Sequence, residues 1–151
     1  MQSKQDFNVL IVYDGFVSGQ LAAQTYDRLM LQHGDRADVK LKTWTFDLLK
    51  NHKINRTAIE DAAEAQLIIL AAACEELPPA VENWLQGWLS HPKKCRGSFV
   101  AVRDSSSQCD EELSPVENEL QSVVPGTGSR FWIERTAEWY NWDVLAAVTA
   151  A

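Results

Sequence analysis

Residues 7–20, FNVLIVYDGFVSGQ, decide the architecture of this chain. Seven residues, all apolar except Asn8, read as a buried strand, and Tyr13-Asp14-Gly15 turns the chain into a helix that Ser18 would cap. Backbone N–H groups at such a junction often hold a phosphate, because they lack intrahelical partners and sit at the positive end of the helix dipole. The residues that would supply the rest of that grip are mostly absent here.

Working outward, four further strand–helix pairs follow. The first helix runs from Ser18 to about residue 33 with Leu21, Ala22, Thr25 and Leu29 as its stripe, and Gly34 is its stop. Residues 38–46 (DVKLKTWTF) alternate: Val39, Leu41, Thr43 and Thr45 share one face, and Lys40, Lys42, Trp44 and Phe46 the other. Thr57 and Glu60 make a capping box for a short helix to residue 65. Residues 66–74 form a third strand. Pro78-Pro79 open a helix whose Val81, Trp84, Leu85, Trp88 and Leu89 make a wide apolar face, so the two tryptophans belong to the core or an interface. A fourth strand at 97–102 leads to the helix start Ser114-Pro115-Val116-Glu117. The fifth strand is 130–135, and 136–151 is expected to be helical.

Alternating strands and helices imply an α/β fold, a parallel sheet covered on both faces. Strands one, three and four are nearly all apolar and therefore central. Strands two and five carry charge and are edges, where lysines discourage further pairing. The order 2-1-3-4-5 satisfies this and puts a ligand crevice beside the ends of strands one and three. The whole chain, 1–151, reads as a single three-layer α/β/α domain.

The net charge of −7 argues against nucleic acid and anionic membrane as partners. The longest apolar run, residues 67–74, is too short to span a bilayer. With no secretory pattern and three cysteines without metal-type spacing, a cytoplasmic, reduced protein is expected.

Residues 76–85 (ELPPAVENWL) resemble the segment after strand three in flavodoxins, and residues 13–20 are similar in position to their phosphate loop. The resemblance implies a five-stranded flavodoxin-like fold and FMN as the cofactor to test. The family's loop follows T/S-x-T-G-x-T; with Gly19 on its glycine, Ser18 matches one hydroxyl, whereas Phe16 and Leu21 fall on the other two. The loop after strand three, at Cys74-Glu75, and residues 104–113 (DSSSQCDEEL) bring no aromatic residue to cover a flavin. The rim would hold Asp14, Glu75, Glu76, Asp104, Asp110, Glu111 and Glu112, with Arg103 the nearby cation. Receiver domains of response regulators share the topology, but Ala72-Ala73-Cys74 stands where their phosphoacceptor aspartate would be. Residues 43–49 (TWTFDLL) also resemble uncharacterised bacterial proteins, a resemblance that carries no activity.

Asp14, Gly15, Ser18, Gly19, Cys74 and Asp104 are thus the crevice candidates, with no catalytic or metal-ligating set among them. The expected function is a non-catalytic regulatory or protein-interaction domain without a cofactor; the alternative is an FMN-binding electron-transfer protein with a degenerate phosphate loop. A hydrolase built on Asp14, Ser18 and Asp104 ranks below both, since no base pairs with the serine. Cys74 and Cys109 fall on the crevice side and make a conceivable redox pair, for which geometry is demanding. Trp139, Tyr140 and Trp142 cannot all be buried on one helix, so a protein partner or homodimer is expected through them.

Overall fold

The computed structural model describes residues 5–33, 37–72, 76–92, 97–103, 115–125 and 130–135. Five parallel strands form one sheet in the order β2-β1-β3-β4-β5: β1 Gln5–Tyr13, β2 Ala37–Thr45, β3 Leu67–Ala71, β4 Ser98–Arg103 and β5 Arg130–Arg135. Four helices follow the strands: α1 Phe16–His33, α2 His52–Glu64, α3 Pro79–Leu89 and α4 Pro115–Val123. The expected fold class and strand order both hold.

Period-two alternation splits the central strands between two cores. Leu10, Val12, Ile68, Leu70, Phe99 and Ala101 face α2, α3 and α4, while Val9, Ile11, Leu67, Ile69, Val100 and Val102 face α1. The first core is the larger. Trp84 and Trp88 lie wholly inside it, Trp84 Nε1 donates to Ala58 O at 3.1 Å, and Trp88, Phe99 and Phe131 stack in sequence at 5.5 and 6.1 Å. Gly87 lets α3 lie directly on Ile59 of α2; a Cβ there would overlap the isoleucine.

Several local expectations need correction. The helix α1 begins at Phe16, and the Gly15 carbonyl takes its first bond, from Gly19 N at 2.8 Å, so Ser18 sits inside the first turn and is not the cap. Helix α2 begins at His52, five residues before Thr57. Asn51 caps it, its Oδ1 accepting from Lys53 N (2.9 Å) and Ile54 N (3.2 Å), a stronger start than the Thr57–Glu60 box, and Thr57 Oγ1 merely donates back to Lys53 O. Lys53 and Arg56 therefore ride on this helix. A 3-10 turn at Leu48–Lys50 joins β2 to this cap. The third strand is Leu67–Ala71, and residues 73 and 74 of the expected 66–74 lie outside the described residues. His91 lies 2.9 Å (Nε2) from Glu60 Oε2, tying the end of α3 to α2. Gly34, Ser114 and the segment 136–151 lie outside the described residues. Among the described residues no helix is long and apolar enough to cross a membrane.

Candidate functional site

The end of β1 is fastened on both sides. Phe46 N donates to Tyr13 O at 2.9 Å from the β2 side, and Asp14 N donates to Ala71 O at 3.2 Å on the β3 side. The backbone from Tyr13 to Gly15 is thereby held against the sheet while α1 starts above it. Gly15 is exposed, and a Cβ added there would meet nothing. Gly19 is different: its missing side chain makes room for the Tyr13 ring, whose Cδ2 would lie 2.9 Å from an added Cβ. The glycine that matches the phosphate-loop pattern is thus accounted for by packing within the chain.

The first turn of α1 presents its side chains in an unexpected order. Phe16 is 79% exposed and Val17 52%, whereas Ser18, the one hydroxyl that matches the pattern, is 4% exposed and faces the core. Leu21, on another hydroxyl position, is buried against the sheet.

A cavity of about 610 Å³ opens between α1 and β2. Ile11, Ala23 and Leu41 make it apolar, Tyr13, Tyr26, Thr43 and Thr45 bring hydroxyls, and Asp14, Phe16 and Asp47 stand among its lining residues. Among the described residues no lysine or arginine lines it. Burial, and then the charge of Asp27, push the Tyr26 phenol above its ordinary pKa, so it stays protonated and neutral. Asp47 is exposed and paired with Lys50 at 3.2 Å. Asp14 adds a second carboxylate to this lining, and at an effective dielectric near 20 a carboxylate about 5 Å from a phosphate repels it by roughly 3 kcal/mol before screening.

The structure brings Asp14, Gly15 and Gly19 together in this lining and leaves Ser18 out of it. The cavity lies on the β2 side of β1, whereas the topological crevice lies on the β3 side. Cys74, Glu75, Asp104, Cys109 and the acids at 110–112, which would wall that crevice, lie outside the described residues, as do Trp139, Tyr140 and Trp142. Among the described residues no group of three or more His, Cys, Asp and Glu could hold a metal ion.

Sequence reading missed Tyr26, Thr43, Thr45 and Leu41 as lining residues. The alternation in β2 had already put Leu41, Thr43 and Thr45 on one face. The missing fact was that α1 packs over β1, β3 and β4 and leaves that face open. A second missed feature is Glu117, read as part of a helix start but almost fully buried beside Leu70, Ala72 and Val102 at the ends of β3 and β4. A third is Asp61 on α2: Lys42 Nζ donates to its Oδ1 and Trp44 Nε1 to its Oδ2, each at 2.8 Å, bolting α2 to the edge strand.

A scan against protein-family models and a search of curated proteins both return no match. Among solved structures, the chain is similar to the crystal structure of a flavodoxin-like domain from a Synechococcus sp. protein, with a TM-score of 0.55 and 19% identity, over 85% of this chain and 82% of that one. At that identity the likeness establishes a shared flavodoxin-like fold.

Proposed function

We propose that this chain is a non-catalytic protein-interaction domain that uses the head of a flavodoxin-like scaffold as an apolar contact surface. The observation that carries the reading is the reversal at the first turn of α1, where Phe16 points to solvent and Ser18 into the core. A phosphate grip needs the opposite arrangement. Burying one phenylalanine side chain in a contact contributes about 1.5–3 kcal/mol, which suits docking and does nothing for an anion. The Tyr13 ring over Gly19 and an α1–β2 lining with no cation among the described residues support the same reading.

The competing reading is FMN binding. It draws on the cavity's size and on Tyr13, Phe16 and Tyr26 in its lining, which offer a flat ring something to stack on.

A photo-activatable benzophenone amino acid placed at position 16, in cells that make the protein, tests the interaction. Position 118, exposed on α4, serves as control. The expected result is a discrete protein adduct from position 16 only. No adduct, or the same adducts from both positions, contradicts the reading.

A further inference from the structure

The groove between α1 and β2 has two unlike ends. It follows β2 from Leu41 through Thr43 to Thr45, roughly 13 Å at strand spacing, and closes among Asp14 and Asp47, just beyond the ends of β1 and β2. Leu41 and Ala23 make the far end apolar, and Tyr13 and Phe16 flank Asp14 in the chain at the acid end. Among the described residues of the lining, the two aspartates are the charged ones. The lysines of β2 belong to the opposite face: Lys42 is held by Asp61 at 2.8 Å, and Lys40 lines a separate pocket with Asp61 and Glu64.

We propose that this groove takes an arginine of a protein partner, its guanidinium on the Tyr13–Phe16 rings and paired with Asp14 and Asp47, and an aliphatic side chain of the same segment on Leu41. The inference rests on the contact reading of Phe16 and names the chemistry of the partner. Aromatic rings next to carboxylates favour a flat cation. A guanidinium lays its face on a ring while its N–H groups meet a carboxylate edge-on, whereas an ammonium is a point charge that does one or the other. The Lys50–Asp47 pair does not stand in the way, because it is exposed at both ends and a surface pair of that kind contributes little.

The apolar surface also selects the class of partner. It continues outside the groove at Val17 and Leu48, both exposed, which is more than a free small cation would cover. An anionic membrane or a nucleic acid would meet the two carboxylates with like charge. A protein segment that carries arginine and aliphatic residues together matches both parts of the lining.

Short random peptides displayed on phage and selected against the immobilised full chain test this. Enriched peptides are expected to carry arginine together with leucine, isoleucine or valine. One of them is then titrated by fluorescence anisotropy. Thr43→Lys, at an exposed position of the lining, is expected to weaken it at least about tenfold, and Thr43→Glu to leave it unchanged or tighten it. Asn118→Lys, which makes the same change in net charge on α4, is expected to leave it within about twofold. No enrichment, or enriched peptides without a basic residue, overturns the inference. So does an equal loss from Thr43→Lys and Thr43→Glu, or from Thr43→Lys and Asn118→Lys. Should Thr43→Lys fail to fold by circular dichroism, Ala23→Lys, exposed on α1 in the same lining, replaces it. A discrete adduct from position 16 alongside any of these contrary results leaves the contact reading in place and removes only the arginine. Absence of that adduct overturns both.

Discussion

Gly19 carries no side chain because Tyr13 fills the space where one would be. That single contact separates two explanations of the same letter in the sequence, a glycine kept clear for a phosphate and a glycine kept clear for a neighbouring ring. In an ordinary helix interior Gly→Ala is favourable by about 0.5–1 kcal/mol. Here the new methyl would meet the ring of a residue anchored at the end of β1, so Gly19→Ala is expected to destabilise the protein by about 1 kcal/mol. In a Tyr13→Ala background the same change is expected to become neutral or favourable. Urea denaturation of the four proteins of this cycle measures the coupling. Additive effects would show that Gly19 is not held by Tyr13 at all.

At the same scale lies the limit of what the letters reveal. Phe16 and Leu21 could be seen to replace hydroxyls by matching alone. That Ser18 turns inward could not, because it depends on α1 starting two residues earlier, at Phe16. The start of α2 was misread for a related reason. A capping box at Thr57 is a real local preference, but Asn51 offers a cap one and a half turns upstream with two N–H partners, and the longer helix buries more apolar surface.

Among the elements, α3 and α4 meet through two acids. Glu119 on α4 has its pKa raised to about 7, chiefly because the Glu82 side chain on α3 shares a hydrogen bond with it, then by burial, then by the Glu82 charge. The folded protein therefore keeps a proton on Glu119 up to about pH 7, while the unfolded chain releases it near the ordinary 4.5. Between those values the folded state binds more protons, so this contact loses stability as pH rises through the window and contributes nothing further above it. The expected signature is a Tm that falls more between pH 5 and 8 in the wild type than in Glu119→Gln, by at most about 2 °C because solvent screens the pair. Parallel curves for the two proteins would show that Glu119 ionises normally.

Element order was the most legible level of the fold. Apolar runs at β1, β3 and β4 and charged ones at β2 and β5 carry the distinction between central and edge strands, and that distinction orders the sheet. The position of α1 across the sheet was not legible. It depends on how Leu21, Ala22 and Leu29 seat on Val9, Ile11, Ile69 and Val100, a three-dimensional fit that periodicity does not encode. The open face of β2, and with it the α1–β2 cavity, follows from that placement.

At the scale of the whole molecule, two surfaces stand out on a flavodoxin-like frame: the head of α1, where Phe16 is presented, and the groove between α1 and β2. We read both as contact surfaces rather than as a flavin phosphate site. The frame is widely used for redox cofactors, so the claim that this copy of it serves contact rather than cofactor is the one most open to direct contradiction. FMN fluorescence measured while the purified protein is added decides it. With no cation among the described residues of the α1–β2 lining and the loop hydroxyl turned inward, no quenching is expected up to about 50 µM protein. Saturable quenching with a Kd below about 10 µM, or protein that purifies yellow, would contradict it.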